Sequence, residues 1–374
     1  MKKWMLTLAA AACLTSCVYS FNPEIDPAVQ KTLVVDGGIL IGGTSYIDLT
    51  YLMPLSQKAT GPAGALGQAW IEDINGTIYS STLSGYSSSI AINTENAPRG
   101  LQYRAGVQVD GQTYYSEWLT AAPAPVIGNV SIESADDKVT VYVDANAQKS
   151  QTGYLGFSYE ETWLFHADFA VEVEVNPENW QYSDLIGEYP YYWCWTSRKS
   201  PQKVIMDYSS LDGSQVSHFG IKTFSRSDSR NHRRYSILIR AFSLSRDAYL
   251  YNKQLQDLSN IGGDLFSPEP GSMAGNLRCE SDPERPVMGL VLASEVESKR
   301  VFMGNEFLWE TAPDESILRT VEQEEMDYYY YNKNYRPVKY VATENGRGVG
   351  WAPHRCINCL EAGGSQERPP YWED

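Results

Sequence analysis

The sequence predicts a mainly β protein of two β-sandwich-like domains, the second larger and carrying one amphipathic helix packed on it. Three observations predict this. The chain holds 26 Tyr and 10 Trp in 374 residues, a bias toward residues that suit a pleated, half-buried surface. Apolar and polar residues alternate with period two in one segment after another. Turn dipeptides separate several of those segments, Asn75-Gly76 and Asp110-Gly111 foremost, and both supply the positive φ angles that a tight hairpin needs.

The elements follow in chain order. MKKWMLTLAAAACLTSC begins with Lys2 and Lys3 and continues through an apolar stretch, Trp4 to Leu14. That stretch is too short to span a bilayer, which takes about 20 residues, and it suits an export signal. Leu14 and Ser16 stand where the bacterial lipoprotein pattern places a branched apolar and a small residue before the modified cysteine. Residues 1–16 are therefore read as a signal peptide, Cys17 as the lipidated first residue, and 17–31 as a tether. Two or more acyl chains, at about 0.8 kcal/mol per buried methylene, anchor a protein stably without a spanning helix.

Residues 32–122 read as an N-terminal sandwich of immunoglobulin or fibronectin type. TLVVDGGILIGG forms an apolar strand and a Gly-rich turn, and TSYIDLTYL alternates Tyr46, Asp48 and Thr50 against Ile47, Leu49 and Tyr51. The connector Ala121 to Val126, AAPAPV, is stiff and apolar, which places a domain boundary there and the two domains in fixed contact. Residues 126–374 form the larger β-rich domain with strands in KVTVYVDA, GFSYEETWLF, KVIMDYS, HFGIKTF, RRYSILIRAFSL and PVMGLVLASEVESKRVFM. One segment departs from period two: Leu244, Ala248, Tyr251, Leu255 and Leu258 recur at steps of four and three, the stripe of an amphipathic helix. Ser243 or Ser245 caps its start and Gly262-Gly263 its end.

The formal charge of −16 repels nucleic acid and anionic headgroups, so no nucleic-acid partner is expected, and the basic run RNHRR at Arg230 to Arg234 reads as a solvated loop. Tyr328, Tyr329, Tyr330 and Tyr331 form a candidate aromatic contact surface, since four successive tyrosines cannot all face one side of a strand. The plainer reading is a loop tip or edge strand with ordinary surface tyrosines.

The four histidines, at 166, 218, 232 and 354, lack any paired spacing, and the nucleophile-elbow, P-loop and dinucleotide motifs are absent. No catalytic residue, metal ligand or cofactor is assigned, and the chain is read as non-enzymatic. Cys194, Cys279, Cys356 and Cys359 are an even set in an exported chain. A four-cysteine zinc site would offer two C-x-x-C knuckles where this sequence has one, and a thioredoxin-like site would continue into a helix rather than into glycines and prolines. All four are therefore expected in two disulfides, in any of three pairings.

Cys194-Trp195, RYSILIRAFSLSRDAYLYNKQLQ, GGDLFSPEPGSMAGNLRC, PVMGLVLASEVESKRVF and the closing C-x-x-C with Gly363-Gly364 and Pro-Tyr-Trp, taken in order, resemble the Bacteroidota lipoproteins grouped as domain-of-unknown-function family 4249. The likeness extends back through LVVDGGI and YEETW, and Tyr371 stands where that family often shows Phe. All four cysteines fall on positions the family uses, which implies a disulfide-stapled C-terminal tail. The resemblance further implies a lipid-anchored outer-membrane protein, accessory to or capturing ligand for a TonB-dependent transporter, and supplies no catalytic residues. A structural or adhesive envelope protein binding glycans or proteins is the alternative. VYSFNPE delays the first acid after Cys17 to Glu24, which leaves both the periplasmic and the surface leaflet open.

Overall fold

The computed structural model describes residues 32–52, 65–81, 86–147, 152–201, 203–210, 215–260, 275–309, 312–344 and 346–373. Cys17, with the expected signal and tether, lies outside the described residues, as do Gly262 and Gly263.

The protein is mainly β, with sandwich-like layers. Its centre is a nine-stranded sheet whose main path runs Trp193–Lys199, Tyr154–His166, Arg234–Leu244, Val291–Phe302, Leu33–Ile41, Thr44–Tyr51 and Ser89–Asn93. Alternation decides which face each residue takes. In Thr44–Tyr51, Ile47 and Leu49 are fully buried while Asp48 is exposed.

Each end of this sheet is covered on one side by a smaller one. A six-stranded sheet built on Gly67–Asp73, Gln102–Val109 and Gln112–Ser116 closes a core of Leu33, Ile47, Ile71, Tyr103 and Val107. A three-stranded sheet, Gln215–Ser225, Lys138–Asn146 and Val126–Ala135, closes a second over Val139, Val141, Val143, Phe157, Tyr235 and Ile237. Each such aliphatic or aromatic side chain contributes about 1.5–3 kcal/mol on leaving water. A third lobe sets the hairpin Val173–Asn176 and Gln181–Asp184 beside the sheet Arg319–Thr320, Gly346–Pro353 and Tyr335–Thr343, around the fully buried Trp351.

The helix spans Arg246–Asn260. Ser245 Oγ accepts from the Ala248 amide at 3.1 Å, the cap that satisfies a first-turn donor. Ala248 joins Leu40, Phe242, Leu244, Leu292 and Val296 on the other face of the nine-stranded sheet, and Tyr249 stacks on Tyr154 at 4.6 Å. Of the stripe read from the sequence, Leu244, Ala248 and Tyr251 are buried.

The two glycine turns differ. Asp110 and Gly111 both take positive φ, 50° and 73°, in a two-residue hairpin joining Val109 to its partner Gln112. At Asn75-Gly76 only Gly76 does so, at 87°, because the Asp73 carboxylate accepts from the amides of Asn75 and Thr77 at 2.9 Å and shapes a longer loop. Asp136-Asp137, which carries no glycine signal, makes another hairpin with φ of 49° and 58°.

Four expectations need correction. The division at 122/126 is crossed by strand pairing: Leu33–Ile41 runs parallel to Val291–Phe302, with Ile39 opposite Ala293, and Leu277–Cys279 pairs with Gln112–Ser116. Leu277–Cys279 and the start of Val291–Phe302 thus complete the N-terminal sandwich, and parallel pairing between distant segments leaves no turn signal to read. Tyr328–Asn332, read as a loop tip or edge strand, is a π-helical turn. Arg230 and Asn231 of the basic run are buried, 7% and 0% exposed, because Glu161 waits for Arg230 inside the second core. Of the four cysteines, Cys194 and Cys359 form a disulfide, whereas Cys279 and Cys356 are buried free thiols. They belong to separate cores, Cys279 to the N-terminal sandwich and Cys356 to a cluster with Phe169, Val338 and Ile357, so they cannot meet.

Candidate functional site

Beside the helix, a cleft of about 400 Å³ opens among residues from several separate stretches of chain. Strand alternation turns Asp36, Tyr46 and Asp48 outward into it. Lys199, Ser200, Pro201, Lys203 and Arg240 form the opposing wall, and the helix contributes Asn252 and Gln256. A continuation of about 100 Å³ runs down to an apolar floor of Gly38, Leu40, Phe242 and Leu292. A Cβ on Gly38 would stand in ordinary contact with Leu292 Cδ1, at 3.4 Å.

The charges of the cleft are only partly matched. Asp36 and Asp48 are directly opposite partners on adjacent antiparallel strands, an arrangement that like charges disfavour. Lys203 Nζ lies 3.5 Å from Asp36. Asp48 has no ion pair among the described residues. Lys199 sits over the Tyr46 ring at 4.0 Å, and Arg240 pairs with Glu160 at 3.4 Å. Gln256 donates to the Lys203 carbonyl at 2.7 Å, tying the helix to that wall. Asn252, 7% exposed, donates its amide to the Ala248 carbonyl at 2.7 Å. Beneath it, burial, aided by the Asp36 charge, pushes Tyr251 up to about 12.

The residues singled out from the sequence lie elsewhere. Tyr329 and Tyr330 pack against the Trp351 core, while Tyr328 and Tyr331 are 49% and 60% exposed. The Cys194–Cys359 bridge holds the tail, and Tyr371 and Trp372 continue it: Tyr371 shares a hydrogen bond with Thr162 at 2.8 Å, and Trp372 packs edge-on against Phe302. Burial, then the neighbouring Asp168, raises the Cys356 thiol above its ordinary range, the state of an inert thiol. The scattered histidines are less scattered in space: His166 and His232 stack at 4.3 Å, and His166 Nδ1 meets the Ala167 carbonyl at 2.6 Å. No group of three or more metal-ligating side chains forms among the described residues.

Sequence reasoning missed the cleft. Asp48 was visible as a polar position of an alternating strand, but nothing local says that it faces Asp36 and, across the cleft, Asn252.

No curated protein matches the sequence. Among solved structures, a two-domain fibronectin type III segment of chicken tenascin matches at 9% identity, covering 56% of this chain and 89% of that one with a TM-score of 0.17. Trypsin-activated alpha-2-macroglobulin from Escherichia coli matches at 14% identity, covering 61% of this chain and 15% of that one with a TM-score of 0.18. At such TM-scores neither carries an argument about this protein. The family model described as "Domain of unknown function (DUF4249)" matches residues 18–300, a span that holds every residue named in the cleft and stops before the stapled tail, and the chain belongs to that family.

Proposed function

We propose that this protein is a lipid-anchored outer-membrane protein that captures a ligand in the cleft for a TonB-dependent transporter, without catalysing a reaction. One observation carries the reading: the cleft is concave, floored by apolar side chains, and rimmed by polar and charged groups of both signs, the usual composition of a small-molecule site. The signal-like N-terminus ending at Cys17 supports the anchor, and the family resemblance supports the transporter as partner. Co-purification from outer membranes in mild detergent tests it. A β-barrel transporter should be recovered with the protein in near-equal amount; repeated recovery of the protein alone overturns the transporter role.

The exposed rings of Tyr328 and Tyr331 favour a second reading, an adhesive envelope protein. Protease shaving of intact cells separates the two in one direction, because an adhesin must be cleaved.

A further inference from the structure

We infer that the third lobe carries a second binding site, for a neutral oligosaccharide, in a cavity between Tyr189 and Tyr330; the inference rests on the adhesive reading above and gives it a ligand class. The cavity holds about 270 Å³, with Pro337 and Ile357 among its apolar lining and Glu174 and Arg336 among its polar lining. That is below the range of about 300–1,000 Å³ typical of drug-sized ligands, a space on the scale of one sugar ring. Glu174 comes from the hairpin strand Val173–Asn176, Tyr330 from the π-helical turn, and Arg336 from Tyr335–Thr343.

The polar groups decide the charge of the ligand. Arg336 lies over the Tyr330 ring at 3.8 Å, and its Nη1 donates to the Tyr330 and Tyr335 carbonyls at 3.0 and 2.8 Å, which fixes the guanidinium. Neither Arg336 nor Glu174 has an ion pair among the described residues. Both act on the Tyr189 hydroxyl, in opposite directions, and burial outweighs them and pushes it up. An anion would meet Glu174, a cation would meet Arg336, and an apolar molecule would leave both without a partner. A neutral polyol serves the two together, since hydroxyl groups donate to a carboxylate and accept from a guanidinium.

A zwitterionic amino acid would also match one acid and one base, and the aromatic rings decide against it. Tyr331, 60% exposed, lies beside Tyr330 at 4.9 Å, and Trp180 stands 5.8 Å from Tyr330 and 6.3 Å from Tyr331. Neither Tyr331 nor Trp180 lines the cavity, so aromatic surface continues outside it. An amino acid ends within the cavity. An oligosaccharide continues, and lays the apolar face of a further sugar on a further ring.

The full mature protein in detergent, applied to an array of immobilised neutral oligosaccharides and their sialylated counterparts, tests this, followed by titration calorimetry with the best-bound trisaccharide and with phenylalanine. At least one neutral glycan should bind saturably and no worse than its sialylated form. Glu174→Gln should weaken it about tenfold and Tyr331→Ala about threefold. Both side chains are exposed, so the unfolding midpoint should not move. Failure of every neutral glycan to bind overturns the inference. So do preference for the sialylated form, full affinity in both variants, and saturable binding of phenylalanine that Glu174→Gln weakens. The adhesive reading is judged apart from this: a protein cleaved on intact cells that ignores the array keeps that reading and loses this ligand.

Discussion

Glu161 and Arg230 meet inside the second sandwich, with Arg230 Nε 2.8 Å from Glu161 Oε1 and both side chains under a tenth exposed. Tyr235 donates to the same carboxylate at 3.0 Å, Lys222 approaches it at 3.4 Å, and the guanidinium lies 4.3 Å from the Trp163 ring centroid. Burial works against the Arg230 charge, but Glu161 and then Asp228 outweigh it and hold the group above its ordinary value. Breaking the pair from one side strands the other charge in the core. Arg230→Met should cost about 3–5 kcal/mol in urea unfolding, and Glu161→Leu with Arg230→Met should recover part of that, since a buried ion pair contributes little over well-packed apolar groups. A double variant no more stable than the single one would show that the pair does more than satisfy itself.

The cysteines give a count. Thiol labelling of unreduced, denatured protein should mark Cys279 and Cys356 and spare Cys194 and Cys359, which label only after reduction. The bridge links residues 165 apart in sequence, so Cys194→Ser with Cys359→Ser should cost about 4 kcal/mol by releasing that constraint on the unfolded chain.

Gly289 lies against Leu33–Ile41 at Val35. Its φ is 107°, and a Cβ there would fall 1.9 Å from the Val35 carbonyl oxygen. It lies between Val287–Met288 and Val291–Phe302, both parallel to Leu33–Ile41. Gly289→Ala should therefore cost about 2–5 kcal/mol from backbone strain and crowding together. The loss should appear as a lower unfolding midpoint, whereas Gly76→Ala, with nothing within 4 Å of its Cβ, should cost less.

Alkaline pH should destabilise the fold. Burial is the main cause that pushes Tyr51, Tyr103 and Tyr251 from 10.0 to about 12. These groups keep their protons in the folded state while the unfolded chain begins to lose them near pH 10, so the unfolded state binds fewer protons and stability falls as pH rises from 10 to 12. Below pH 10 they contribute no slope. Phenolate absorbance at 295 nm should show a late-ionising class that titrates normally in denaturant.

Much of this protein is legible in its sequence because local backbone physics writes it there. The period-two pattern of Thr44–Tyr51 sorts its residues to two faces, Asp110-Gly111 supplies a tight hairpin, and the helical stripe sets Ala248 on the sheet. Each depends on residues a few positions apart, and a covalent neighbourhood is all that period and φ preference require. The tertiary structure alone decided the rest: that Ile39 pairs with Ala293, that Arg230 leaves a basic run for a buried carboxylate, that Cys194 finds Cys359, and that Asp36, Asp48 and Asn252 share one cleft. Distant strands choose partners by the apolar area they bury together, and a charge chooses burial only where an opposite charge is already placed, so these outcomes belong to the packed chain rather than to any stretch of it.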